Sequence, residues 1–269
     1  MLNLGEVRLP TDKDYENIRE LCESDQGWTI DFTKNNLKIW TKQNELSPFK
    51  MIRAWAEFSD VSATVIYNVI QDDEYRRHWD TKLDSCHDIC YITPCSNIGY
   101  YAIKSPKPFK NRDFVTQQCW LDLGPNKDKI LFNHSVNHAK CPPKKGYVRG
   151  LSFITATVIK PTSPKSCILY YVTQSDPGGS FPVWVVNSAT RVFAPKFMKK
   201  IYKASLKYEK WKAKHNPGFM PWVNPDQFSV ARIDWNDIQP LDLGQFKKNQ
   251  IDESQIAENQ VQENDADDD

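Results

Sequence analysis

Alternating apolar and polar positions run through most of the first 176 residues of the chain, and helical spacing replaces them afterwards. A helix signal begins at Thr11, and three segments between residues 27 and 59 then alternate as strands do. Residues 59–79 have helical spacing, and six more strand-like segments follow, separated by turns such as LGPNKD and CPPKK. This order predicts an α+β fold with a curved nine-stranded antiparallel sheet, whose apolar concave face needs a cover.

The last apolar pattern supplies that cover. Pro182 opens a predicted helix of more than thirty residues with a kink at Pro195. An apolar stripe follows one face of this helix: Val186, Thr190, Phe193, Phe197, Ile201, Ala204, Tyr208 and Trp211. A row of lysines lies about 100° away: Lys196, Lys200, Lys203, Lys207, Lys210 and Lys214. The row fits either a solvated helix face or a surface for anionic membranes, and its lack of acids favours the membrane.

Net charge divides the chain into two parts. The total is +1, yet residues 251–269 hold eight acids and no Lys or Arg. We therefore expect a basic folded body and a disordered acidic tail. The tail either competes for the basic face or only keeps the protein soluble.

Membrane-spanning and secreted proteins are the first classes that the sequence argues against. Far fewer than 18 consecutive apolar residues occur anywhere, and the N-terminus has no apolar core of a secretory signal. The seven cysteines are an odd number at no disulfide spacing. We expect a cytoplasmic protein with free thiols.

Metal and catalytic motifs are also missing. His134, His138 and Cys141 resemble a zinc triplet, but four strand residues span about 13 Å, too far for both imidazoles to bind one ion. No nucleophile elbow, Walker loop or dinucleotide fingerprint occurs. We expect no metal, no cofactor and no catalytic residue. An enzyme would need an acid–base pair in a cavity, and Asp80 with His78 is the nearest candidate.

Nucleic-acid binding is a further alternative for the basic body. Aromatic residues on an open sheet could stack bases: Tyr100, Tyr101, Trp120, Tyr170 and Tyr171. A long helix over that sheet would turn these residues inward instead, so we expect no nucleic-acid partner.

Four motifs then converge on a known family. YRRHWD (75–80), PKPFKNRDFV (106–115), SDPGGSFPVWVVN (175–187) and MKKIYKASLKYEKW (198–211) resemble the START lipid-transfer domain, in the branch of phosphatidylcholine transfer proteins. Within that branch the chain looks most similar to a member with an acidic C-terminal tail that carries phosphatidylcholine and phosphatidylethanolamine. The resemblance implies a helix-grip fold around a hydrophobic lipid tunnel, closed by the long C-terminal helix. It divides the chain into an N-terminal extension (1–9), the lipid-binding domain (10–225), a C-terminal extension (226–250) and the tail (251–269).

The resemblance also implies a function. The chain would extract one phosphatidylcholine or phosphatidylethanolamine molecule and shuttle it between membranes, without catalysis, as a cytoplasmic monomer that contacts anionic membranes transiently. The alternative is a sensor or carrier of another lipid class, such as a sterol or ceramide, that acts through a protein partner.

Site residues follow from matching the motifs. Arg76 would hold the lipid phosphate and Asp80 would hold Arg76, whereas the plain alternative is a structural ion pair. Tyr101, Phe114 and Phe153 would form an aromatic cage for the headgroup ammonium, or they are simply inward aromatics. Ile70 and Thr155 replace a tyrosine and a glutamine of the family.

The family's gate maps onto the loop from Lys104 to Lys110 and the terminal helix. Its membrane contacts would be Lys107, Phe109, Lys110, Phe197, Lys200, Lys203 and Lys207. Ser254, flanked by two acids, is a possible phosphosite in the tail.

Overall fold

The structure, a computed structural model, describes residues 2–45, 47, 49–188, 192–248 and 250–261. The strands are β1 (Thr29–Lys34), β2 (Leu37–Lys42), β3 (Met51–Phe58), β4 (Leu83–Thr93), β5 (Ser96–Ile103), β6 (Asn111–Asp122), β7 (Lys129–Ser135), β8 (Asn137–His138), β9 (Tyr147–Arg149), β10 (Leu151–Ser163), β11 (Ser166–Asp176) and β12 (Ile238–Gln239). Nine of them form one antiparallel path in the order β1-β2-β3-β11-β10-β7-β6-β5-β4. Short β9 joins β6 in parallel, and β8 pairs with β12. The predicted nine-stranded sheet is confirmed.

The helices are α1 (Asp12–Glu23), α2 (Ala63–Gln71), α3 (Asp73–Trp79), α4 (Val183–Ser188), α5 (Ala194–Lys212) and α6 (Leu243–Lys248). Thr11 and Asp14 form a capping box at α1, and the Ser62 side chain caps α2. Helices α4 and α5 both lie within the helix predicted from Pro182, and residues 189–191 between them lie outside the described residues, so the continuity of that helix stays a prediction. Pro195 stands at the start of α5, where a missing N–H costs little. Thr190 lies outside the described residues.

The two faces of the sheet have different covers. On one face, Ile18 and Cys22 of α1 are fully buried in a cluster with Phe132, Val158 and Val172. On the other face, α2 and α5 contribute Ile66 and Ile201 to a second apolar cluster. Space remains on this second side, and it holds the site described below.

Alternation along the strands decides which aromatics face inward. Tyr101, Trp120 and Tyr171 line the inner side, as predicted. The prediction is wrong for their neighbours Tyr100 and Tyr170, which pack in clusters on the other side because successive strand residues point to opposite faces.

The seven cysteines are free thiols. Among the helices of the described residues, none combines the length and apolar character that crossing a bilayer requires.

Candidate functional site

A cavity of about 1600 Å³ lies against the inner face of the sheet. It is larger than the roughly 300–1,000 Å³ pockets that hold most small ligands. Its apolar walls come from the sheet and from helices: Ile52, Trp120, Leu131, Trp79, Phe197 and Ile201. The interior of the protein is therefore hollow, with room for a large apolar molecule.

Helix α3 is held in place by the aromatic residue that precedes its arginines. Tyr75 is 1% exposed, its hydroxyl donates to the Ala204 carbonyl over 2.7 Å, and its ring lies 4.7 Å from that of Trp211. Because successive helix residues are about 100° apart, fixing Tyr75 against α5 turns Arg76 toward the cavity. Trp79 completes the helix and also lines the cavity.

Asp72 joins α3 to α5 through a buried ion pair that the sequence did not reveal. One of its oxygens caps α3 by accepting from the Tyr75 N–H over 3.0 Å. The other accepts from Lys212 Nζ over 2.8 Å and from the Tyr208 hydroxyl over 3.0 Å. Lys212 stands outside the predicted lysine row. This position was the one sequence signal that Lys212 differs from the lysines of the exposed row.

Arg76 presents free hydrogen-bond donors to the cavity. Its Nε donates to Asp80 Oδ2 over 3.2 Å, and neither Nη nitrogen donates to an acceptor among the described residues. The side chain is 29% accessible and Asp80 is nearly buried, and both line the cavity. Burial alone would lower the pKa of Arg76, but the charges of Asp80 and Asp73 outweigh it and raise the pKa. A permanent positive charge with open donors thus faces the cavity.

Two of the three predicted cage aromatics meet beside this arginine. The rings of Tyr101 and Phe114 stack with centroids 4.8 Å apart, and the Arg76 guanidinium lies 6.0 Å from the Tyr101 ring. Phe153 is not among the described residues that line the cavity. It is the extra residue of a bulge, since Ser152 pairs with Ser175 and Ile154 with Gln174. The three-ring cage is therefore incomplete.

Asn97 and Asp88 also line the cavity, and neither had a sequence signal. Asn97 Nδ2 donates to Asp88 Oδ1 over 2.7 Å. Burial and the charge of Asp73 raise the pKa of Asp88 to about 6. Thr155, at the family's glutamine position, shares a hydrogen bond of 3.1 Å with Thr173, and Ile70 lines the cavity as an apolar residue.

The predicted gate loop is anchored from inside. Lys107 and Lys110 are exposed, as expected of membrane contacts. Phe109 is 6% exposed, so contact with a membrane would require the loop to move, and this predicted contact stays a prediction. Its ring lies 5.8 Å from that of Phe181 and 6.1 Å from that of Trp184, because the adjoining α4 offers an apolar surface.

The predicted membrane contacts of the terminal helix differ in their exposure. Lys207 is exposed, Lys203 is half-buried, and Lys200 donates to the Thr81 hydroxyl. Phe197 packs against Trp79 and Tyr171 and lines the cavity, and its predicted membrane contact stays a prediction. Other apolar residues lie at the surface near the α4–α5 junction: Val186, Val192 and Phe193 are 43%, 38% and 49% exposed.

The acidic tail differs from its prediction. Residues 250–261 pack along the folded body, and Glu253 is only 7% exposed. Ser254 is half-buried, with its N–H donating to Asp252 Oδ1 over 3.0 Å. Residues 262–269, which hold five of the eight acids, lie outside the described residues.

Metal ligands and the alternative acid–base pair are not assembled. Within the described ranges no group of three His, Cys, Asp or Glu is placed to hold a metal. His134 Nε2 bonds to the Glu6 carbonyl, whereas His138 Nδ1 accepts from the Lys140 N–H. His78 is exposed and stacks near Trp211, so it does not join Asp80 in the cavity.

Comparison with known proteins gives one family. Residues 9–212 match the model of the START domain. The chain is 41% identical over 234 residues to human START domain-containing protein 10, covering 87% of this chain and 80% of the relative. It is 24% identical over 204 residues to mouse phosphatidylcholine transfer protein, covering 72% of this chain and 94% of the relative.

Solved structures agree with this assignment. The crystal structure of human STARD10 superposes with a TM-score of 0.82 and 40% identity, covering 88% of this chain and 96% of that one. Human StAR-related lipid transfer protein 5 has a TM-score of 0.63 and 22% identity, covering 72% and 91%, and it shares the fold.

Proposed function

The chain belongs to the START domain family, and its relatives support a lipid-transfer function; on this basis we propose that it carries one phosphatidylcholine or phosphatidylethanolamine molecule between membranes. The lipid enters the cavity, remains unchanged and leaves at the acceptor membrane. No covalent step is involved, and the chain acts as a monomer in the cytoplasm that contacts membranes transiently.

The observation that carries this proposal is Arg76. A guanidinium with unpaired donors facing an enclosed, largely apolar space is costly unless an anion joins it. Its planar fork of N–H groups suits two oxygens of a phosphodiester. Asp80 fixes the fork through Nε and leaves the Nη groups for the ligand.

The size of the cavity supports a lipid with two acyl chains. Exposing two chains of about sixteen carbons to water costs roughly 25 kcal/mol at about 0.8 kcal/mol per methylene. A carrier must offset nearly all of that cost by enclosing both chains. The walls formed by Trp120, Leu131 and Phe197 provide such an environment.

The headgroup ammonium would lie beside the stacked rings of Tyr101 and Phe114. Each ring face attracts a cation by about 0.5–2 kcal/mol, but two parallel rings 4.8 Å apart leave no room between them. A cation contacts the pair from one side only. Such partial recognition would admit both choline and ethanolamine headgroups, and the name of the more distant relative supports choline.

Membrane contact is assigned to the mouth of the cavity. Exposed Val186 and Phe193 lie there with Lys196, Lys199 and Lys203, so apolar and cationic groups share one surface. This combination favours anionic bilayers. Exchange would require the 104–110 loop and the start of α5 to separate.

The test is lipid capture. The purified chain is incubated with vesicles that contain labelled phosphatidylcholine or phosphatidylethanolamine and is then separated by gel filtration. We expect up to one labelled phospholipid per chain. Capture of sterol or ceramide in parallel incubations without phospholipid would overturn the assignment, and cleaved lipid products would point to an enzyme.

A further inference from the structure

The C-terminal segment packs beside residues that line the cavity. Residues 250–261, here called the strap, run beside the chain that leads into α4. The Ser180 N–H donates to the Ile251 carbonyl and the Glu253 N–H donates to the Ser180 carbonyl, each over 3.0 Å. A Cβ on Gly179 would lie 2.1 Å from the Ile251 oxygen, so glycine is required for this approach.

One buried carboxylate connects the strap to the gate loop. Glu253 Oε1 accepts from the Lys110 N–H over 2.9 Å, and Oε2 accepts from Arg112 Nη2 over 2.6 Å. Glu253 and Arg112 are 7% and 2% exposed. An ion pair so sheltered from water is not weakened by screening as a surface pair is.

Arg112 extends the connection to the other side of the mouth. Its Nε donates to the Pro177 carbonyl over 3.0 Å, and its guanidinium lies 4.5 Å from the Phe181 ring. The Trp184 indole N–H donates to the Ile256 carbonyl of the strap over 3.1 Å. Phe181 and Trp184 are the residues that bury Phe109 of the gate loop.

We propose that the strap is a latch, in which Glu253 occupies an anion site made by Arg112 and the Lys110 N–H and so holds the gate loop and α4 closed. This inference rests on the proposed function for its effect on lipid exchange, but the latch itself is a property of the closed fold. Opening the gate requires Glu253 to leave that site.

Release of Glu253 would leave the buried Arg112 without a counter-ion, which is unfavourable unless another anion replaces it. The phosphate of a membrane lipid has the required charge and oxygen geometry for a guanidinium and an N–H donor. The latch therefore opens more readily on a phospholipid surface than in solution. Anionic vesicles, which concentrate the basic face of the protein at the bilayer, should accelerate release further.

A matched pair of variants tests the latch without lipid. Glu253→Gln keeps the shape of the side chain but removes its charge, and Glu258→Gln removes a charge from an exposed position of the same strap. Hydrogen exchange measured by mass spectrometry should become at least several-fold faster in residues 104–110 and 181–188 of Glu253→Gln. Exchange in Glu258→Gln should equal that of the wild type. Equal exchange in both variants would overturn the latch.

A covalent strap provides the second test. Ser180 and Asp252 are exposed bridge partners, a spacing that suits a disulfide. The Ser180→Cys/Asp252→Cys chain should transfer phospholipid between vesicles at least 10-fold more slowly when oxidised than when reduced, and each single variant should not respond. Equal rates in the two redox states would overturn the latch. A wild type that transfers no phospholipid would instead refute the proposed function, and the exchange experiment would still decide the latch.

Discussion

The Arg76 Nε donates to Asp80 Oδ2 over 3.2 Å, one helical turn away, and the two residues face the cavity together. This pairing orients the guanidinium without using the donors that bind a phosphate best. An ion pair with no further purpose would more naturally satisfy both Nη nitrogens.

Two replacements of Arg76 should distinguish the contribution of its charge to phospholipid binding from that of its planar geometry. Arg76→Ala should reduce phospholipid extraction at least 100-fold, since Asp80 then faces the lipid phosphate without a cation between them. Arg76→Lys keeps the charge but loses the planar fork, and we expect roughly a 10-fold reduction, about 1.4 kcal/mol. Extraction from labelled vesicles measures both. Wild-type extraction by Arg76→Ala would exclude the assigned role, and Arg77→Ala, an exposed neighbour, is the control.

The incomplete cage makes a prediction about headgroups. Tyr101→Ala should weaken retention of phosphatidylcholine by about 1 kcal/mol, because the ammonium loses one aromatic face. Phe153→Ala should leave the ratio of phosphatidylcholine to phosphatidylethanolamine unchanged, since Phe153 does not line the cavity. Competition between the two labelled lipids gives that ratio. A change of this ratio in Phe153→Ala would show that Phe153 takes part in a three-ring cage.

Stability should depend on the ion pair that joins α3 to α5. Lys212→Ala leaves the buried Asp72 carboxylate without its cation, with the Tyr208 hydroxyl and the Tyr75 N–H as remaining donors, and the free energy of unfolding should fall by about 3 kcal/mol. Lys214→Ala, two residues later and exposed, should change it by less than about 0.5 kcal/mol. Urea denaturation followed by tryptophan fluorescence measures both. Similar losses in the two variants would show that Asp72 does not depend on Lys212.

Asp88 should make stability depend on pH. Burial and then the Asp73 charge raise its pKa from 3.8 to about 6. Because the folded chain holds this proton more tightly than the unfolded chain, the stabilising contribution is complete below about pH 4 and is lost as the pH rises through about 6. Asp88→Asn should therefore raise the free energy of unfolding by about 1–2 kcal/mol at pH 7.5 and by little at pH 4. The value at pH 7.5 is smaller than the full pKa shift would give because Asp88 is partly exposed to solvent.

Denaturation of wild type and Asp88→Asn across this pH range measures the difference. Glu57→Gln, which removes an exposed carboxylate, is the control. A difference that stays constant between pH 4 and pH 7.5 would mean that Asp88 does not titrate as described.

The surface at the cavity mouth should control membrane binding. Replacing Lys196, Lys199 and Lys203 by alanine should weaken binding to anionic vesicles by about 1 kcal/mol per lysine, roughly 100-fold in total at low salt. Alanine at Lys34, Lys127 and Lys145, which are exposed elsewhere, should have a much smaller effect. Vesicle sedimentation over a salt series measures the binding. Equal losses in the two triple variants would indicate attraction by net charge alone.

Local patterns in the sequence predicted the fold well. Period-two alternation identified the strands, and the motif around Arg76 identified the ion pair with Asp80. Errors arose where one residue changes a pattern. The bulge at Phe153 breaks the alternation by which Phe153 and Thr155 would share a face.

Contacts between distant parts of the chain could not be predicted. Glu253 stands in a segment whose composition is typical of disorder, yet it finds Arg112, 141 residues earlier. Lys212 likewise pairs with Asp72 across 140 residues. Glu253 does not differ locally from its exposed neighbours, and Lys212 differs only by standing outside the lysine row, so the assembled fold is needed to identify their buried partners.

Native mass spectrometry of the chain after incubation with mixed phospholipid vesicles tests the central claim most directly. The account predicts a wild-type chain with one phosphatidylcholine or phosphatidylethanolamine molecule and an Arg76→Ala chain without one. A wild-type chain that remains empty, or an Arg76→Ala chain equally loaded, would contradict it.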